Sequence, residues 1–155
     1  MPERFTESWL AEYQARMAGM KNLPVLPDQI EFSLPLLLKL PNASIGHHWK
    51  AAYGYRQKLL PIVTEAVKSW LAHQPMRRAR LTVTRVSTAS QRADEDNCYA
   101  SLKPLVDLLL IKSKTHPHSL GILTDDNPDL LEIIACSERC LHRQEQRTEV
   151  LIERK

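Results

Sequence analysis

Residues 80–111 read RLTVTRVSTASQRADEDNCYASLKPLVDLLLI, and their reading decides the fold. Arg80 to Val86 alternates and is rich in Thr and Val, so it reads as a strand. Ser87 to Ala93 is polar and reads as a loop. From about Asn97 to Ile111, Leu102, Leu105, Val106 and Leu109 form one stripe of a helix. At ~100° per residue, Asp96, Ala100, Lys103 and Asp107 form a second stripe, well over a right angle away. One stripe can enter a core while the other faces a cleft. Pro104 lies inside this helix and removes a backbone bond, which predicts a kink or break near Ala100–Lys103.

Upstream, Phe5, Trp9, Tyr13 and Met17 recur every four residues and predict a first helix, ending in a Pro-rich linker over residues 21–29. That stripe suits core or dimer packing. Ile30 to Leu40 reads as the first strand, and Tyr55 to Leu71 as a helix with Pro61 in or near its first turn. Downstream, Leu130 to Cys136 and Thr148 to Glu153 read as strands, joined by a polar turn over residues 139–147. The order is α-β-α-β-α-β-β. It predicts an α+β fold: a mixed sheet of about four strands with helices mainly on one face. Residues 1–28 form an N-terminal helical extension and linker, and residues 29–155 the main domain.

The 155 residues suit one domain, with 43% hydrophobic and 25% charged residues as in ordinary globular proteins. The net charge of +3 permits a nucleic-acid partner without requiring one. It hides a local excess, because residues 76–92 carry Arg77, Arg78, Arg80, Arg85 and Arg92 with no acid. Cys98, Cys136 and Cys140 are too few and too odd in number for a disulfide framework, which suits a reducing cytoplasm. Cys136, Cys140 and His142 lack the second paired knuckle of a zinc site. The N-terminus shows no signal pattern, and no apolar run approaches the ~20 residues of a membrane span.

The acids sit together instead. Asp94-Glu95-Asp96-Asn97 opens the helix that carries Lys103 and Asp107, and Asp125-Asp126 follows the apolar run Leu120–Leu123. Carboxylates two apart repel unless a positive centre lies between them, and a hard divalent cation is the commonest one. Asn97 suits the helix N-cap, with Asp96 the near alternative. Plainer accounts exist for each piece: the acids cap the helix, Lys103–Asp107 is a surface i,i+4 pair, and Asp125-Asp126-Asn127-Pro128 is a turn.

Taken together, Asp-x-Asp-Asn, the helical Ser-Leu-Lys-Pro-Leu-Val-Asp and Gly-Ile-Leu-x-Asp-Asp resemble the RusA family of Holliday-junction resolvases. Leu40-Pro41-Asn42, with His48 and Trp49 nearby, resembles that family's first-strand exit. The resemblance runs from about Ile30 to the C-terminus. It implies a homodimeric, Mg²⁺-dependent endonuclease that resolves four-way DNA junctions in recombination and repair, in a bacterial or phage-infected cell, with Mn²⁺ as a substitute metal. Carried over, the metal ligands are Asp94, Asp96 and Asp126 and the catalytic lysine is Lys103. Asp107 and Asp125 fall at motif positions of less defined role. The spacing from Asp96 to Lys103 exceeds that of the best-known bacterial member.

On that reading His48, Trp49, Lys50, Arg85, Arg92, Lys112 and Lys114 would contact DNA, alongside Arg77, Arg78 and Arg80. Trp49 suits base stacking and core packing equally. Two other functions stay open: a non-cleaving, structure-selective DNA-binding protein of the same fold, and a nuclease for flaps or single strands.

Overall fold

The computed structural model describes residues 7–40 and 49–155. Its elements are α1 (Glu7–Met20), β1 (Gln29–Leu34), α2 (Trp49–Val67), β2 (Ala79–Ser87), α3 (Glu95–Ala100), α4 (Lys103–Leu109), β3 (Leu131–Arg139) and β4 (Arg147–Arg154). The expected α+β class is the observed one.

β2 is the centre of a four-stranded mixed sheet ordered β1-β4-β2-β3. It pairs in parallel with β3, from Ala79↔Leu131 to Ser87↔Arg139, and antiparallel with β4. β1 closes the other edge, antiparallel to β4. The turn after β3 therefore does not make a hairpin, because β2 lies between β3 and β4. Along β2 the burial alternates: Leu81 and Val83 are buried while Arg80, Thr82 and Thr84 are half-exposed. One face meets the helices, with α2 on β1 and α4, and α3 on β3. Val63, Leu81, Leu105, Leu109, Ile122 and Ile152 fill that layer.

Three features differ from or add to the sequence reading. β1 stops at Leu34 because Pro35 follows, and proline cannot donate to the ladder. Leu36 and Leu38 leave the strand but stay pinned: Thr148 Oγ1 donates to Leu36 O (2.7 Å) and Arg85 Nη1 to Leu38 O (2.8 Å). α2 starts at Trp49, which puts Pro61 in the helix interior instead of its first turn. The linker after α1 is not loose: Leu26 is buried in the core, and Arg154 Nη2 donates to its carbonyl at 2.8 Å.

The parallel pairing of β2 and β3 fixes the layout of the acids. A parallel pair needs a crossover that returns the chain to the starting end. α3 and α4 are that crossover. Asp94 therefore stands beyond the C-terminal end of β2, and the Asp125–Asp126 loop precedes β3 at the opposite end. Thr124 ties that loop to Met76, ahead of β2, through its N–H (3.1 Å) and Oγ1 (3.0 Å).

Candidate functional site

Asp94, not Asn97 or Asp96, is the N-cap of α3. Its backbone is extended (φ −71°, ψ 168°), and Oδ1 accepts the Asn97 backbone N–H at 2.8 Å. Asn97 sits inside the first turn, where its amide nitrogen reaches Asp94 Oδ2 at 3.3 Å. Asp96 is exposed in the same turn. Asp94 and Glu95, but not Asp96, line a cleft of about 790 Å³ at the C-terminal ends of β2 and β3, together with Ser87, Arg92, Ser137 and Arg139 among others. Arg92 is exposed there.

The helix breaks at Ser101–Leu102, where the interior proline predicted it. Pro104 then falls in the first turn of α4, where no N–H is needed. The restart presents Lys103 at the beginning of α4. Its Nζ donates to Asp126 Oδ2 at 2.7 Å and lies 3.0 Å from Asp107 Oδ1. The second contact lacks hydrogen-bond geometry, so Asp107 Oδ1 has no hydrogen-bond donor. Asp107 is not the surface partner of an i,i+4 pair: its side chain is 3% exposed, and Arg56 Nη1 from α2 reaches its Oδ2 at 3.3 Å. The local order is Arg56–Asp107–Lys103–Asp126, a chain of alternating charge in which Asp107 is the buried member.

Charge sets the protonation in this cluster. Partial burial pulls the Lys103 pKa down, but the carboxylates of Asp126 and Asp107 outweigh it and the net shift is upward. Burial pushes the Asp126 carboxyl up, yet the hydrogen bonds from Lys103 and Asp125 hold it below the usual range. Asp125 rises, through burial and then its hydrogen bond with Asp126. Two neighbouring carboxyls are thus driven apart, Asp126 ionised and Asp125 the one that keeps a proton longer.

Asp126 folds back onto the crossover, but at the start of α4 and not at the mouth of α3. β2 spans about 26 Å between the Asp94 end and the Met76 end. Asp96 is in the first turn of α3, and Lys103 begins α4 beyond the break at Ser101–Leu102. Among the described residues, no three His, Cys, Asp or Glu side chains converge to hold a metal ion. Asp94, Asp96 and Asp126 of one chain are therefore not a single ligand set in this arrangement. Mg²⁺ keeps most of its waters and takes one or two carboxylates plus substrate phosphate, so at this end of the crossover the exposed Asp94 or Asp96 is a carboxylate that could bind one. Asp126 serves Lys103.

Arg85 does not face DNA. It has the parity of Leu81 and Val83 on β2, is 7% exposed, and donates from Nε to Gln91 O (3.2 Å) as well as to Leu38 O. Burial pulls its pKa down. Arg80 is engaged with Glu132 at 3.0 Å. Lys112 and Lys114 are exposed in the segment after α4. His48 lies outside the described residues; Trp49 and Lys50 begin α2. Arg56 was not visible from sequence, since no spacing links it to Asp107, fifty-one residues away. No family model and no curated protein matches this chain.

Proposed function

We propose that the protein is a divalent-metal-dependent endonuclease for branched DNA, of the kind the RusA resemblance implies. The observation that carries this reading is the return of Asp126 to Lys103, across 23 residues, at 2.7 Å. It makes one functional neighbourhood of the helical lysine and the distant Asp-Asp pair, which composition alone gives no reason to unite.

Asp94 and Asp96 would hold Mg²⁺, which when bound supplies charge neutralisation and an activated water. Any third carboxylate for that ion would have to come from a second copy, as in the homodimer the resemblance implies, or from movement of the loop at residues 124–129. Lys103 would place a point charge where negative charge develops on the phosphate. Arg92, Lys112 and Lys114 would hold the polyanion, a contribution that weakens steeply with salt. The setting is recombination or repair in a bacterial cytoplasm.

The Lys103–Asp126 ion pair also favours the second reading, a structure-selective DNA-binding protein that does not cleave, because it occupies the acid that the resemblance gives to metal. Incubation with labelled four-way junctions and linear duplexes, with and without Mg²⁺, separates the two. Nicking of the junction only when Mg²⁺ is present supports the nuclease. Junction binding without metal-dependent nicking removes it, and equal cutting of linear duplex removes the preference for branches.

A further inference from the structure

Lys103 has two carboxylate neighbours of different character. Asp126 is 39% exposed on a loop, while Asp107 is 3% exposed on the same helix as Lys103, one turn on. Among the described residues Asp107 is the one buried carboxylate, and it is fixed from behind by Arg56 of α2 at 3.3 Å. Its Oδ1, 3.0 Å from Nζ, accepts no hydrogen bond. At that distance the bond lacks only its angle, which a small shift of the Lys103 side chain would supply. The hydrogen bond that Lys103 makes instead goes to the exposed, loop-borne acid.

We infer that Arg56 and Asp107 are positioning residues for Lys103, holding its ammonium in place when a DNA phosphate takes the position Asp126 occupies in the free chain. The inference rests on the nuclease reading. An ammonium is a point charge that accepts a carboxylate or a phosphate oxygen alike, so the exposed partner is the exchangeable one. The buried partner cannot leave: it is built into α4 and is balanced by a second cation. Arg56 thus acts on the chemistry through Asp107, and Asp126, once displaced, is free for another role.

Two measurements test this, one without activity. A crystal structure of Asp126→Ala, which removes the competing acceptor, should show Lys103 Nζ hydrogen-bonded to Asp107 Oδ1; an ammonium turned to solvent overturns the inference. In single-turnover cleavage of a labelled four-way junction, Arg56→Met should slow the chemical step about tenfold while junction affinity stays within about twofold. Arg56→Lys should recover most of the rate. Circular dichroism verifies that both variants are folded. A folded Arg56→Met at the wild-type rate, or a loss in affinity with the rate intact, also overturns it. If wild type cuts no DNA, the nuclease reading falls, and the Asp126→Ala structure alone decides whether Asp107 holds Lys103.

Discussion

Replacing Arg56 with Met should destabilise the fold by about 2 kcal/mol. Breaking a buried ion pair by removing one partner costs about 3–5 kcal/mol, because a charge is left uncompensated in the interior. Two features reduce that here. Lys103 stays 3.0 Å from the Asp107 carboxylate, and Arg56 is itself 23% exposed, so the pair is not fully desolvated. For a chain of this size, about 2 kcal/mol lowers the melting temperature by about 4–8 °C. Urea unfolding followed by circular dichroism reads the change as a shift of the midpoint at constant slope. The companion double variant, Arg56→Met with Asp107→Leu, removes both charges and should return to within about 1 kcal/mol of wild type. If Arg56→Met unfolds within about 0.5 kcal/mol of wild type, Asp107 does not depend on Arg56, and the chain of alternating charge is a surface coincidence.

Asp94→Ala should cost about 1 kcal/mol through loss of the α3 cap, whereas Asp94→Asn should keep most of that stability and still lose metal-dependent nicking; thermal melts and the junction assay read the two effects separately. Arg85→Met should cost about 2–3 kcal/mol, since Leu38 O loses a charged donor in the interior, yet leave the salt dependence of junction binding unchanged. Arg92→Ala should do the reverse, reducing the salt slope by about 0.9 with stability unaltered. Asp126 contributes stability that is lost on the acid side. Its folded pKa lies below the ordinary value, so the contribution is complete above about pH 4 and is lost as pH falls through the folded value. Lys103→Met should flatten that part of the pH–stability curve; Asp125, shifted upward, gives a slope of the opposite sign.

The strands and the break in the crossover were legible because each has a local cause. Alternation over Arg80–Val86 marks β2, and Pro104 forces the restart that points Lys103 outward. The same alternation already placed Arg85 with Leu81 and Val83, on the buried side; reading it as a DNA contact gave its charge more weight than its parity. The acids were half legible. Asp94 and Asp96 both fall at the start of α3, but the helix begins between them, so Asp94 caps it and lines the cleft while Asp96 does not. The position of Asp126 depends on which strand β3 joins and in which direction, and local sequence does not encode a parallel partner. The Arg56–Asp107 contact is hidden for the same reason, since it follows from α2 and α4 sharing one face of the sheet.

The central claim is that Asp94 and Asp96 form the metal-holding end of a DNA-cutting site. Single-turnover nicking of a labelled four-way junction by wild type and Asp96→Asn, with junction binding measured beside it, tests that claim most directly. Asp96 is exposed, and among the described residues its side chain makes no ion pair, so the variant should fold and bind the junction as wild type does. The account predicts nicking slowed about a hundredfold or more at unchanged affinity. Wild-type nicking by Asp96→Asn would contradict it.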